Sequence, residues 1–179
     1  MEFYSIDGEL KIKKIEPSNE KDLWLLHHLT CDSDVYGSNS KPGHLWNLET
    51  ETFLNLHYLQ HGELYGSPFA IYLDNNPIGF LDVSGILQTP NSSYVDLSYA
   101  LIREARGQGY MQRSLSVVSD CLLGNKVYGL DFCECFISPY NPKSSKVAIS
   151  SGFSRDVKRE DELIREDGSF CLHCYTKKR

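Results

Sequence analysis

In residues 94–123, YVDLSYALIREARGQGYMQRSLSVVSDCLL, the hydrophobic period changes part-way along. Val95, Leu97, Tyr99 and Leu101 alternate, so 94–102 reads as a strand with those side chains on one face. Met111, Leu115, Val118 and Leu122 recur at helical spacing, so about 109–123 reads as a helix. Between them stands Arg106-Gly107-Gln108-Gly109. Two glycines at a helix entry let the backbone approach a ligand closely, and the first-turn N–H groups and the helix dipole favour an anion there. The group served is a phosphate or pyrophosphate; tight helix–strand packing is the other use of such glycines, and both stay open. A Walker A loop ends in Gly-Lys-Ser/Thr, where this chain has Gly109-Tyr110-Met111, and a dinucleotide fingerprint needs a third glycine where this chain has Gln112, so both nucleotide motifs fail.

Upstream, LKIKKI (10–15) alternates as a half-buried strand, and Ser18 can cap a helix to about Thr30 with Trp24, Leu25, His28 and Leu29 along one side. Residues 31–47 form a long turn-rich loop, and a second helix is expected over 49–61. Ser67-Pro68 breaks the chain, 69–73 and 78–86 are partner strands around the turn Asp74-Asn75-Asn76-Pro77, and 88–93 are a connection. Downstream, 127–137 is a mostly apolar strand suited to the middle of a sheet. Asn141-Pro142 opens a helix that Gly152 ends in a left-handed cap, and 153–164 and 169–178 form a final antiparallel pair around Asp167-Gly168. The result is one mixed α/β domain over 1–179 with a single helix-bearing parallel pair.

Composition bounds the function. A chain of 179 residues, 41% hydrophobic and 23% charged, is an ordinary globular domain. No apolar run reaches the roughly 18 residues of a membrane span, and the N-terminus lacks the apolar core of a signal peptide, so a cytoplasmic protein without membrane partners is expected. Eighteen basic against 24 acidic residues, net −6, without a basic patch, argue against nucleic acid and suit a cationic amine. Six cysteines are present; Cys133 and Cys135 share a strand face whereas Cys171 and Cys174 do not, so buried free thiols are expected rather than zinc or disulfides. His57 and His61 are four apart but lack a His-Glu-x-x-His pattern, so no metal is expected.

Arg106-Gly107-Gln108-Gly109-Tyr110-Met111 resembles the acetyl-CoA motif of the GCN5-related N-acetyltransferases, Arg/Gln-x-x-Gly-x-Gly/Ala, with Met111 in place of the last small residue. Asn141-x-x-Ser144, Ala148 and Gly152-Phe153 resemble the family's second block, Pro77-Ile78-Gly79-Phe80 its third strand, and LKIKKI with the following helix and Asp22 its beginning. The resemblance covers about residues 10–176 and points to the branch that acetylates ribosomal-protein N-termini. It implies a mixed, mostly antiparallel sheet of about seven strands flanked by about four helices and splayed at the fourth and fifth strands. It implies acetyl-CoA as co-substrate, without a metal, and direct transfer to a primary amine, a protein N-terminus or a small molecule, by a monomer or homodimer. A non-catalytic acyl-CoA-binding module on the same fold is the alternative.

The same resemblance assigns residues. The backbone of Leu101, Ile102 and Arg103 is expected against the pantetheine arm. Arg106, Gly107 and the amides of Gln108, Gly109, Tyr110, Met111, Gln112 and Arg113 are expected at the pyrophosphate. Asn141, with Ser144 one helical turn on, is expected at the pantetheine or acetyl end of the cofactor; Asn141 can cap its helix, and both roles can coexist. Amine attack needs a base, and the leaving thiolate needs a proton. The family's usual tyrosine falls at Ala148, which cannot donate, so Ser144 or Tyr140 is the candidate acid. Asp96 or Glu134 is the candidate base, with catalysis by positioning as the other route. Tyr36, His44 and Trp46 are expected to contact the acceptor, with Asp32 and Asp34 attracting a cation.

Overall fold

The computed structural model describes residues 2–5, 7–16, 18–30, 32, 67–83, 86–161 and 172–179. Strands β1 (Glu2–Tyr4) and β2 (Leu10–Lys14) lead into helix α1 (Glu20–Thr30). Strands β3 (Ser67–Leu73), β4 (Asn76–Val83), β5 (Leu87–Thr89) and β6 (Ser92–Leu101) follow, then a 3-10 turn (Arg103–Ala105) and helix α2 (Tyr110–Gly124). The chain closes with β7 (Phe132–Ile137), α3 (Pro142–Ser150), β8 (Ser154–Arg155), α4 (Val157–Asp161) and β9 (His173–Lys178).

The described strands form one mixed sheet in the order β1-β2-β3-β4-β6-β7-β9-β8, with β5 paired to the start of β6. Every described pairing is antiparallel except β6 with β7. Alternation sorts the side chains: Leu10 and Ile12 of β2, Val95 and Leu97 of β6, and Cys133 and Cys135 of β7 join Met111, Leu115, Val118 and Leu122 of α2 in the main core. The other face carries α1, whose Leu25, Leu26 and Leu29 pack with Ala70 and Tyr72 in a second cluster, with Phe80 and Ala100 against it. Burying Cys133, Glu134 and Cys135 in succession marks β7 as covered on both faces, as its apolar composition implied.

The parallel pair is short. β6 and β7 are in register only at Tyr94–Phe132, Val95–Cys133 and Asp96–Glu134. Beyond Asp96, β6 continues on β4 through Leu101, while β7 continues on β9 through Ile137. The two strands therefore part and open a cleft at the expected place.

Several sequence expectations are corrected. The described strands number nine, in keeping with the expected sheet of about seven plus short additions: β1 and β5 are three-residue strands and β8 has two, too short for alternation to register. Helix α1 is capped by Asn19, whose Oδ1 accepts from the Lys21 N–H at 3.0 Å, and not by Ser18. Trp24 and His28 stack at 4.9 Å on its outer side, because Asp22, Leu25, Leu26 and Leu29 take the inner one. Residues 126–129 are a turn, with Gly129 at φ 57 and Val127 exposed, so the strand begins at Phe132 and not at Val127. Residues 157–161 are a helix rather than a strand: the Asp156 Oδ1 accepts from the Arg159 N–H at 3.3 Å and caps it. Gly152 at φ 91 closes α3 as expected, with the Phe153 N–H on the Ala148 carbonyl at 3.1 Å. The helix over 49–61 and the turn at Asp167-Gly168 lie outside the described residues, as do Cys31, Cys171, His57 and His61.

Candidate cofactor cleft and acceptor face

At the mouth of the cleft, Gly107 and Gly109 have φ of 80° and 77°, a region that side chains with a Cβ rarely adopt. A Cβ placed on either would meet no atom within 4 Å, so packing does not demand these glycines; backbone conformation does, and the space before them is open. Gly109 is the N-cap of α2 and supplies no side-chain acceptor. The first intrahelical bond runs from the Arg113 N–H to the Gly109 carbonyl at 3.1 Å. The N–H groups of Tyr110, Met111 and Gln112 therefore lack intrahelical acceptors and point out of the helix end. The glycine backbone and first-turn N–H groups form an open helix end whose chemistry suits an anion such as a pyrophosphate.

The side chains around it divide. The Arg113 amide is used within the helix, and its guanidinium bonds Asp7 and, at 2.6 Å, Glu9 of the β1–β2 connection, while lying 5.2 Å from the Tyr110 ring. Met111 is buried in the core, which explains why a large apolar residue stands in a position the resemblance leaves small. Gln108 is exposed, and Gln112 reaches the Ser150 carbonyl at 3.2 Å, tying α2 to α3. Arg106 donates from Nε to the Leu101 carbonyl at 3.0 Å and from Nη2 to Asp32 at 2.5 Å, with Arg103 3.8 Å from the same carboxylate. Asp32 therefore does not attract a substrate cation; it staples the end of α1 to the loop. Tyr36, His44, Trp46 and Asp34 lie outside the described residues.

Backbone alternation corrects the strand end. The Ile102 N–H donates to the Ile78 carbonyl at 3.0 Å, and its carbonyl accepts from Ala105, as that of Arg103 accepts from Arg106. The Ile102 backbone and the Arg103 carbonyl are thus used within the chain and not turned to the cleft. In an antiparallel ladder the edge alternates, so Leu97, Tyr99 and Leu101 present their groups on the β7 side.

Across the cleft, Asn141 Oδ1 accepts from the Ser144 N–H at 3.1 Å, so Asn141 caps α3. Tyr140 is almost fully exposed at 95% in the turn before it. The Ser144 carbonyl accepts from the Tyr99 hydroxyl at 3.0 Å. Tyr99 thus brings a phenol from β6 to the first turn of α3, a neighbour that its place in an alternating apolar run did not suggest. Burial first, then Cys135 and Tyr175, hold its pKa above the ordinary value. Burial likewise pushes the thiols of Cys133 and Cys174 up to about 12, so they are poor nucleophiles.

At the apex of the cleft Asp96 and Glu134 stand in register on the face that carries α1. Glu134 is buried and accepts from Arg159 Nε at 3.0 Å and Nη2 at 2.8 Å. Burial, and next the neighbouring Glu134, push the Asp96 carboxyl up to about 7, against the opposing pull of Arg159. Asp96 is therefore no ordinary surface carboxylate. A separate cavity of about 440 Å³, lined in part by Asn91, Asp131, Phe132, Lys158 and Arg159, opens at the other end of β6. It lies toward the opposite end of β6 from the glycine loop and shares Arg159 with the Asp96–Glu134 pair at the apex.

The acetyltransferase (GNAT) domain family matches residues 14–154. No curated protein matches the chain by sequence. Among solved structures, spermidine N-acetyltransferase from Vibrio cholerae, in complex with CoA and spermine, superposes with a TM-score of 0.73 at 16% identity, covering 95% of each chain. A ribosomal-protein-S5-alanine acetyltransferase from Vibrio fischeri gives 0.68 at 20% identity, covering 99% of this chain and 96% of that one. An acetyltransferase from Salmonella typhimurium that modifies the N-terminal serine of ribosomal protein L7/L12 gives 0.70 at 17%, covering 96% and 95%. The chain belongs to the acetyltransferase (GNAT) family and is an acetyl-CoA-dependent acetyltransferase of that type.

Proposed function

We propose that this member of the family moves an acetyl group from acetyl-CoA directly to a primary amine in a ternary complex, as a single domain spanning the chain. The observation that carries the reading is the β6–β7 pairing, which stops after three residues and opens into the glycine loop. In this reading the pantetheine arm runs along the cleft edge of Leu97, Tyr99 and Leu101, and the pyrophosphate rests on the first-turn N–H groups of α2. The thioester then reaches the apex, beside Asp96 and Glu134. Asp96 takes one proton from the ammonium, the neutral amine attacks the thioester carbonyl, and the C–S bond breaks as the tetrahedral intermediate collapses, the nitrogen losing its second proton to solvent as it becomes the amide. Ser144, at the N-terminal end of α3 where the helix dipole favours a developing thiolate, or the exposed Tyr140, supplies the proton to sulfur.

Asp82 and Asp96 on one sheet face, with the Glu134 charge already met by Arg159, favour an acceptor that arrives as a cation, whether a peptide N-terminus or a polyamine. The V. cholerae relative holds spermine and the S. typhimurium relative modifies a protein N-terminus, so both classes belong in the assay. Thiol release from acetyl-CoA is measured with a ribosomal N-terminal peptide, spermidine and an aminoglycoside. Release that requires one of these amines is the expected result; release with none of them removes the reading.

A further inference from the structure

We propose that Arg159 is a positioning residue for proton removal: it fixes the Glu134 carboxylate and so leaves Asp96 as the member of the pair that accepts the amine proton. This rests on the acetyl-transfer reading above. The grip is two-pointed, from Nε and Nη2 to both Glu134 oxygens at 2.8–3.0 Å. Such a fork fixes the plane of a carboxylate, not merely its distance. The guanidinium is itself fixed. It lies 4.7 Å from the Tyr94 ring and 5.5 Å from the Phe132 ring, and those rings stack at 4.8 Å.

The helix that carries Arg159 is anchored on β9. The Asp156 N–H donates to the Cys174 carbonyl at 2.9 Å, and Glu160 accepts from the Cys174 N–H at 3.0 Å while Arg155 holds it through two bonds of 2.8 Å. Three elements thus converge to hold one carboxylate beside Asp96. An ion pair meant only to fasten α4 would not need to stand in register with a second acid.

The described groups that face Asp96 can be named by element. Tyr94 and Ser98 flank it on β6, and Asp82 of β4 pairs with Ser98. Glu134 is its partner on β7, with Cys135 on the reverse face. Beyond Glu134 lie Cys174, Thr176 and Lys178 of β9, then Arg159 and Asp156 on the α4 side. Arg159 is the cation in direct contact with the pair's second member. An acid raised to about 7 is partly deprotonated at neutral pH and can accept a proton there. The step balances: the ammonium gives one proton to an Asp96 carboxylate oxygen, which returns it to solvent; the freed lone pair forms the C–N bond, the C–S bond breaks, and the second proton leaves the nitrogen as it becomes the amide, matching the proton that the thiolate takes up to become the CoA thiol.

The test is the pH profile of kcat/KM for the amine at saturating acetyl-CoA, in the whole chain. Wild type comes first: absence of amine-dependent thiol release defeats the acetyl-transfer reading, whatever Arg159 does. With wild type active, Arg159→Gln removes a cation and is expected to move the ascending limb to higher pH by about one unit. Glu134→Gln removes an anion and moves it to lower pH. Arg159→Lys keeps the charge without the fork and shifts it less than Arg159→Gln. The amine's own titration is common to all variants, and the KM for acetyl-CoA is expected to stay unchanged. A limb that stays in place in folded Arg159→Gln overturns the proposal, as do shifts of the same sign in the two glutamine variants. If Arg159→Gln does not fold, an unmoved limb in both Arg159→Lys and Glu134→Gln overturns it equally.

Discussion

Gly109 carries the most local argument. Its φ of 77° is costly for any residue with a Cβ, and the space before it is open and is the path proposed for the pyrophosphate. Gly109→Val is expected to weaken acetyl-CoA binding at least roughly tenfold, about 1.4 kcal/mol, read by calorimetry on folded protein; unchanged affinity contradicts the placement. Ser144 has its N–H held by Asn141 and its carbonyl by Tyr99, so its hydroxyl is the part left to chemistry. Ser144→Ala is expected to lower kcat by roughly ten- to hundredfold, about 1.4–2.7 kcal/mol of barrier, with acetyl-CoA affinity kept. Equal turnover would pass the role to Tyr140 or water. Asp96 also couples stability to pH. Its carboxyl rises from 3.8 to about 7 on folding, so the folded state holds the proton more tightly, and stability falls as pH climbs from about 4 through 7. Asp96→Asn should therefore melt above wild type at pH 8, with the gap closing at pH 4; a gap independent of pH would show that ionisation is not its cause.

Among the elements, α1 and the glycine loop are joined by one carboxylate. Asp32 is 9% exposed and Arg106 31%, so removing the acid leaves a partly buried cation without that partner. Asp32→Ala should destabilise by about 1–3 kcal/mol, several degrees of Tm for a domain of this size, and loosen the loop. An unchanged melting curve would mean that the pair carries no load. The elements also show what could be read from the sequence. The glycine loop, the Asn141 cap and the Gly152 stop are settled within about four residues, so spacing revealed them. Val127–Leu130 misled because apolar composition outweighed a glycine that takes a positive φ in the turn. The Arg106–Asp32 and Arg159–Glu134 contacts join residues 74 and 25 apart. No local period reports such a contact, so Asp32 read as a substrate attractor and Arg159 went unseen.

For the molecule as a whole, two hollows compete. The cleft lies where β6 leaves β7, next to the glycine loop, and the cavity of about 440 Å³ lies at the opposite end of β6. Ten strand residues separate the two ends of β6 by roughly 30 Å, so the phosphate end of a bound cofactor perturbs the glycine loop and not Asn91 or Asp131. Two apolar clusters sandwich the sheet and keep the cleft edges rigid: Leu115 and Val118 on one side, Leu25 and Leu29 on the other, all essentially without exposure. A CoA titration followed by amide chemical shifts locates the seat of the cofactor. With the pyrophosphate on the glycine loop, the largest early shifts are expected at Gly107–Gln112 and at Leu97, Tyr99 and Leu101. Shifts concentrated at Asn91, Asp131 and Lys158, with the glycine loop unmoved, would contradict it.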